Sequence, residues 1–146
     1  MTWQPHITVA TIVERDGRFL MVEESQAGRR VLNQPAGHLE ADESLQQAAI
    51  RETLEETGWD VELTAVVGIY LYTAPANGVT YQRVCFAARP VQHHAQRPLD
   101  SDILAVHWLS RDALMARPEC WRSELVPRCI DDYLAGPLYS LDILRS

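Results

Sequence analysis

Apolar residues recur along this chain with two different periods, and the switches between them mark its elements. His6 to Val13 alternates and is rich in β-branched residues, so it reads as a strand. Asp16-Gly17 is a hairpin signal, and Arg18 to Glu24 returns as a second strand. Residues 25–30, SQAGRR, read as a loop. Val31 to Gln34 is a short strand running into Pro35. The period then lengthens. From Ser44 onward the spacing predicts a helix, started by a Ser44-x-x-Gln47 capping box and ended at Gly58 by a left-handed cap. Val61 to Tyr72 and Thr80 to Arg89 read as strands around the turn-rich TAPANG, and Ile103 to Leu109 as another. Ser110 to Arg117 and Ser123 to Leu134 carry helical patterns, the second stopped by Gly136-Pro137. Strands, a helix, more strands and two closing helices predict one α+β domain over residues 1–146.

The inward stripe of the predicted helix breaks two local rules. Leu45, Ala48 and Ala49 share a face with Glu52, Glu55 and Glu56. Like charges at i, i+3 and i+4 repel, and anions are disfavoured near a helix C-terminus. Such a stripe calls for a compensating partner, and a hard divalent cation prefers carboxylate oxygens.

Composition narrows the classes. A chain of 146 residues is long enough for one domain with a substantial core. Its net charge of −7 argues against a general nucleic-acid binder, which needs a basic patch. It leaves anionic substrates open, because bound cations reverse the local field. No apolar run is long enough to span a bilayer. The N-terminal MTWQPHITVATIV lacks a basic region followed by a signal core, so a cytoplasmic protein is expected. Cys85, Cys120 and Cys129 are odd in number and lack CxxC spacing, and they read as free core thiols.

The segment Gly37 to Trp59, GHLEADESLQQAAIRETLEETGW, resembles the Nudix box, G-x5-E-x7-R-E-U-x-E-E-x-G-U, where U is a bulky apolar residue. Gly37, Glu43, Arg51, Glu52, Glu55, Glu56, Gly58 and Trp59 fall in register. Thr53 departs, standing where an apolar residue is usual, at a packing position. The resemblance implies a Nudix fold, a mixed sheet sandwiched between helices, with the box as loop, helix and loop. It also implies hydrolysis of a nucleoside diphosphate linked to another moiety, or of a similar pyrophosphate.

Divalent ions screen the anionic oxygens around the phosphorus and acidify a bound water. The expected cofactor is Mg²⁺, with Mn²⁺ as a substitute. Its expected ligands are Glu52, Glu55, Glu56 and, by resemblance, the carbonyl of Gly37. Glu52 or Glu56 takes the proton of the attacking water, and the sequence does not separate them. Arg51 orients Glu55 or neutralises the cluster. Glu43 and Gly58 are structural or outer-shell residues.

Outside the box the candidates are fewer in their support. A further acid is expected from the loop RPLDSDI, as Asp100 or Asp102. Arg29, Arg30 and Arg83 are candidates to meet phosphate oxygens, and His38 to reach a phosphate. Tyr70, Tyr72 and Tyr81 are candidates to stack on a ring. His93 and His94 read as loop residues.

A narrower resemblance rests on WQPHITVATIV, VEES, LNQPAGHLEADESL, the DSDI loop, WLS and the run SELVPRCIDDYLAGPLYSLDI. These look like the NudJ-type phosphatases within the family. That group implies a small monomeric Mg²⁺ enzyme, with a homodimer as the other option. Its substrates are nucleoside di- and triphosphates, hydroxymethylpyrimidine pyrophosphate or thiamine pyrophosphate, with release of phosphate. Other readings stand beside it. One is a pyrophosphatase for ADP-ribose or another dinucleotide, which usually carries added N-terminal structure. Another is a Nudix-fold isomerase, which needs a catalytic cysteine. The last is a non-catalytic nucleotide sensor, a class that tends to lose the box glutamates.

Overall fold

The computed structural model describes residues 2–146. Its strands are β1 (His6–Arg15), β2 (Arg18–Gln26), β3 (Arg29–Asn33), β4 (Ala36–His38), β5 (Trp59–Thr73), β6 (Thr80–His93) and β7 (Ile103–Ser110). Its helices are α1 (Leu45–Thr57), α2 (Arg111–Met115) and α3 (Leu125–Ala135), with 3₁₀ turns at Pro118–Cys120 and Leu141–Ile143.

The sheet is mixed. β1 runs parallel to β6, while β4 pairs β1 and β5 pairs β6 antiparallel. The far end of β1 turns into β2, which pairs β3 and β7 antiparallel. Helices cover both faces. On one side Val9, Val13, Val84 and Phe86 pack with Ala48 and Ala49 of α1. On the other, Ala10, Ile12, Cys85 and Ala87 pack with Val126, Cys129 and Ile130 of α3. Successive residues of β1 and β6 therefore enter different cores, so Val9 to Val13 and Val84 to Ala88 are buried without a break, and the alternation read from the sequence of β1 does not separate a buried from an exposed face.

Several boundaries differ from the sequence expectation. Residues 25–30 are not a loop: Ala27 and Gly28, with φ of 51° and 78°, make a two-residue turn, and Arg29 already belongs to β3. Both positive angles suit the twist of an antiparallel hairpin. The three-residue β4 has no pattern of its own and exists because β1 offers it a partner. His93 is a strand residue, its ring stacked on Trp59 at 4.7 Å between centroids. α2 stops at Met115, and Pro118 opens a 3₁₀ turn instead of a further helical turn. Cys85 and Cys129 are buried core thiols, whereas Cys120 is only half-buried.

Helix α1 starts and ends where its caps stand. Ser44 accepts from Gln47 N while the Gln47 side chain accepts from Ser44 N, and Gly58 closes the helix at φ 76°. The inward face is rotated from the expected stripe: Thr53, Glu56 and Thr57 are buried, and Glu52 and Glu55 lie at its margin. Thr53 is buried as a polar residue because its hydroxyl is satisfied. Thr11 Oγ1 lies 2.8 Å away, and Thr53 Oγ1 donates to Ala49 O at 2.8 Å. This is the position where the box resemblance expects an apolar residue.

Candidate active and metal site

The acidic end of α1 lies along the outer edge of β4. Two backbone contacts set this arrangement. Ala36 N, pointing away from β1, donates to Glu56 Oε1 at 3.0 Å, and Arg51 Nη2 donates to His38 O at 3.0 Å. Between them Gly37 turns its missing side chain toward α1. A Cβ built there would fall 2.1 Å from Glu52 Cδ. The glycine therefore makes room for a carboxylate pressed against the backbone.

Arg51 fastens the cluster. Its Nε and Nη2 donate to the two oxygens of Glu43 at 3.0 and 2.7 Å, and its Nη1 donates to Glu52 at 2.7 Å and Glu55 at 3.3 Å. The fork geometry of a guanidinium fits such a set. Glu43 is held below the usual carboxylate range by Arg51. It also accepts from Glu40 N at 2.8 Å, which shapes the loop before the helix.

The fourth acid arrives from another part of the chain. Asp100 N donates to Glu55 O at 3.1 Å, using a carbonyl that the helix end leaves free. This latch brings carboxylate oxygens of Glu52, Glu55 and Asp100 within 4.8 Å of one another. Asp102, two residues on, is exposed and outside this group.

The charges in this cluster are poorly compensated. Burial raises Glu52 above the usual carboxylate value; Arg51 opposes the shift, and Glu55 and Asp100 add to it. Burial likewise pushes Glu56 up to about 9, against the hydrogen bond from Ala36 N and with the charges of Glu24, Glu52 and Asp100. An all-carboxylate donor set with surplus negative charge fits a hard divalent cation such as Mg²⁺. The sequence reading missed Glu24, which is buried at the end of the apolar strand β2 and accepts from Arg122.

The candidates outside the box scatter. Arg29 is exposed and donates to Glu119 O at 2.8 Å. Arg30 pairs with Glu23. His38 stands exposed beside the site, 3.2 Å from His6 Nδ1, its pKa lowered by burial and by the charges of His6 and Arg122. Tyr72 is half-buried against the core under α3, opposite Tyr81 on β6. Tyr70 is buried and donates to Asp132 at 2.7 Å. Arg83 is buried on the sheet face opposite α1.

The NUDIX domain model matches residues 3–129. The chain belongs to the Nudix family. It is 39% identical over 142 residues to the phosphatase NudJ of Escherichia coli K12, covering 97% of this chain and 92% of that protein. A NUDIX hydrolase structure from Nitrosomonas europaea superposes with a TM-score of 0.96 at 44% identity, over 98% of this chain and 97% of the other. A MutT NUDIX hydrolase from Burkholderia pseudomallei shares the fold at a TM-score of 0.75 and 22% identity, over 88% and 98%. The protein is thus a Nudix hydrolase, an enzyme of pyrophosphate hydrolysis on small phosphorylated substrates. No helix among the described residues is long and apolar enough to cross a membrane.

Proposed function

We propose that this protein is a Mg²⁺-dependent phosphohydrolase that cleaves the pyrophosphate bond of nucleoside di- and triphosphates, hydroxymethylpyrimidine pyrophosphate or thiamine pyrophosphate and releases phosphate. It works as a cytoplasmic monomer. The observation that carries the reading is the Glu52, Glu55 and Asp100 oxygen cluster, held in place by Arg51 and by the Asp100–Glu55 latch. Similarity to phosphatase NudJ over 97% of the chain supports phosphate release as the outcome.

In this reading Glu52, Glu55 and Asp100 hold the cation, whereas the carbonyl of Gly37, expected as a ligand from the sequence, faces β1 because its neighbours' Ala36 N and His38 O are the groups turned to α1. When bound, Mg²⁺ supplies charge neutralisation at the phosphate oxygens and a more acidic water. Arg51 keeps the carboxylates from splaying under mutual repulsion. Glu56 is the preferred proton acceptor: one oxygen is taken by Ala36 N, and the other is left for the attacking water. Its proton affinity, raised by burial, falls toward the working range once positive charge is held by Glu52 and Glu55.

The test is phosphate release by the purified protein, with Mg²⁺ and then with EDTA. The panel contains nucleoside di- and triphosphates, thiamine pyrophosphate, hydroxymethylpyrimidine pyrophosphate and ADP-ribose, the last read through added phosphatase. EDTA-sensitive release from the first four classes supports the proposal and ranks them. Activity confined to ADP-ribose would overturn the substrate class. Silence on every compound would favour a nucleotide-binding role, read out by ligand-induced melting shifts.

A further inference from the structure

Glu24 puts a charge where the pattern of β2 asks for an apolar residue. Leu20, Val22 and Glu24 share one face of the strand, and all three are buried. Glu24 stands between Val31 of β3 and Ile103 of β7. A buried ion pair adds little stability over apolar side chains of similar size, so a carboxylate kept there serves its partner. That partner is Arg122, whose Nη1 donates to Glu24 Oε2.

The backbone delivers Arg122 to this place. The 3₁₀ turn Pro118–Cys120 is tied on both sides: Glu119 O accepts from Arg29 at 2.8 Å, and Trp121 Nε1 donates to Leu114 O at 2.9 Å. Trp121 then bridges Leu32, and Arg122 N donates to Leu32 O at 3.0 Å. The strands that hold the pair both lead to the acidic cluster. Glu24 is opposite Ile103, whose N donates to Asp100 O at 3.0 Å. Leu32 lies four residues before Ala36, whose N donates to Glu56. The pair therefore stands at the Glu56 end of the cluster. Its charges are felt there: burial and then Glu24 raise Glu56, and burial, His6 and Arg122 lower His38.

The two arginines of this region are used differently. Arg51 donates from Nε, Nη1 and Nη2 and is saturated by its carboxylates and by His38 O. Arg122 spends only Nη1; among the described residues its Nε and Nη2 meet no acceptor, and its side chain is 43% exposed. We propose that Arg122 binds the terminal phosphoryl group of the substrate, and so selects molecules that end in a free phosphate over molecules capped on both sides. A terminal phosphoryl group presents three acceptor oxygens and about −1.5 to −2 charge. A bridging one has fewer free oxygens and a single charge. The planar guanidinium fork matches the former, and Glu24 keeps the fork aimed. The group so held is the phosphate that hydrolysis releases. The inference rests on the hydrolase reading above and deepens it by naming a residue that separates nucleoside diphosphates from ADP-ribose.

Calorimetric binding with Mg²⁺ tests it without turnover. The probes are α,β-methylene-ADP and its terminal methyl ester, which differ only in the cap on the last phosphate. The wild-type protein should bind the uncapped probe about tenfold more tightly. Arg122→Met should bring the two within about threefold, chiefly by weakening the uncapped probe. Arg122→Lys, which keeps the charge and loses the fork, should fall between them, and it replaces Arg122→Met if that variant does not fold. No preference in the wild-type protein, or a preference that survives the substitution, overturns the assignment. So does an equal weakening of both probes, the mark of a merely structural residue. Failure of the phosphate-release panel alongside an intact, Arg122-dependent preference would overturn the hydrolase reading alone.

Discussion

Gly37 and Glu52 share one space. The Cα of the glycine sits where any side chain would strike the carboxylate, its Cβ landing 2.1 Å from Cδ and 2.3 Å from Oε2 of Glu52. Gly37→Ala should therefore spare the fold, because the displaced group is the far end of a flexible side chain, and impair the chemistry. A shift of about 1 Å at a reacting group lowers the rate on the order of 100-fold. The expected result is a kcat reduced by that order with a melting temperature close to wild type. Full activity would mean that the position of Glu52 is immaterial.

Asp100 and Asp102 should part company in a metal titration. Asp100 is latched to Glu55 and joins the oxygen cluster, whereas Asp102 does not. Asp100→Asn should raise the Mg²⁺ concentration for half-maximal activity about tenfold or more. Asp102→Asn should leave it unchanged. The reverse ranking would remove Asp100 from the ligand set.

The Thr11–Thr53 contact joins β1 to α1 inside the core, with both residues fully buried. Thr53 already donates to Ala49 O, so Thr11 supplies the proton of the shared bond. Thr53→Val leaves the Thr11 hydroxyl without a partner, at about 1–3 kcal/mol in unfolding free energy. Thr11→Val with Thr53→Val removes both hydroxyls at nearly constant shape and should recover part of that loss. A double-mutant cycle in urea measures the coupling, and strict additivity would argue against the bond.

Glu23 links β2 to β3 and β7. His107 Nε2 lies 3.0 Å from its Oε1, and Arg30 also donates to it. His107 first, and then Arg30, hold its carboxyl below the usual value of 4.5. A carboxyl depressed in the folded state contributes stability that is complete above its unfolded value and fades as pH falls through the folded one. Glu23→Gln should thus melt below wild type at pH 7. The gap should close as the pH is taken below the ordinary carboxylate range. A gap of the same size in acid would show that the contribution is not ionic.

The sequence carried helix α1 because its caps and its spacing are local features. The Ser44–Gln47 box, the Gly58 cap and the i, i+3, i+4 carboxylates are all read within one segment, and the structure holds both caps at their predicted places while the inward face turns to leave Glu52 and Glu55 at its margin. The strands around it were legible from their β-branched runs, and the family from the spacing of the box. What tertiary structure alone decided lies between segments. The inward turn of Thr53 depends on Thr11, 42 residues away. β4 depends on β1, and the choice between Asp100 and Asp102 depends on one hydrogen bond to a helix carbonyl. The burial of Arg83 follows from its place in the β1–β6 register and from α3 closing over it. Pattern periodicity tells which residues share a face. It does not tell which faces meet, because that is set by strand order and packing across the whole chain.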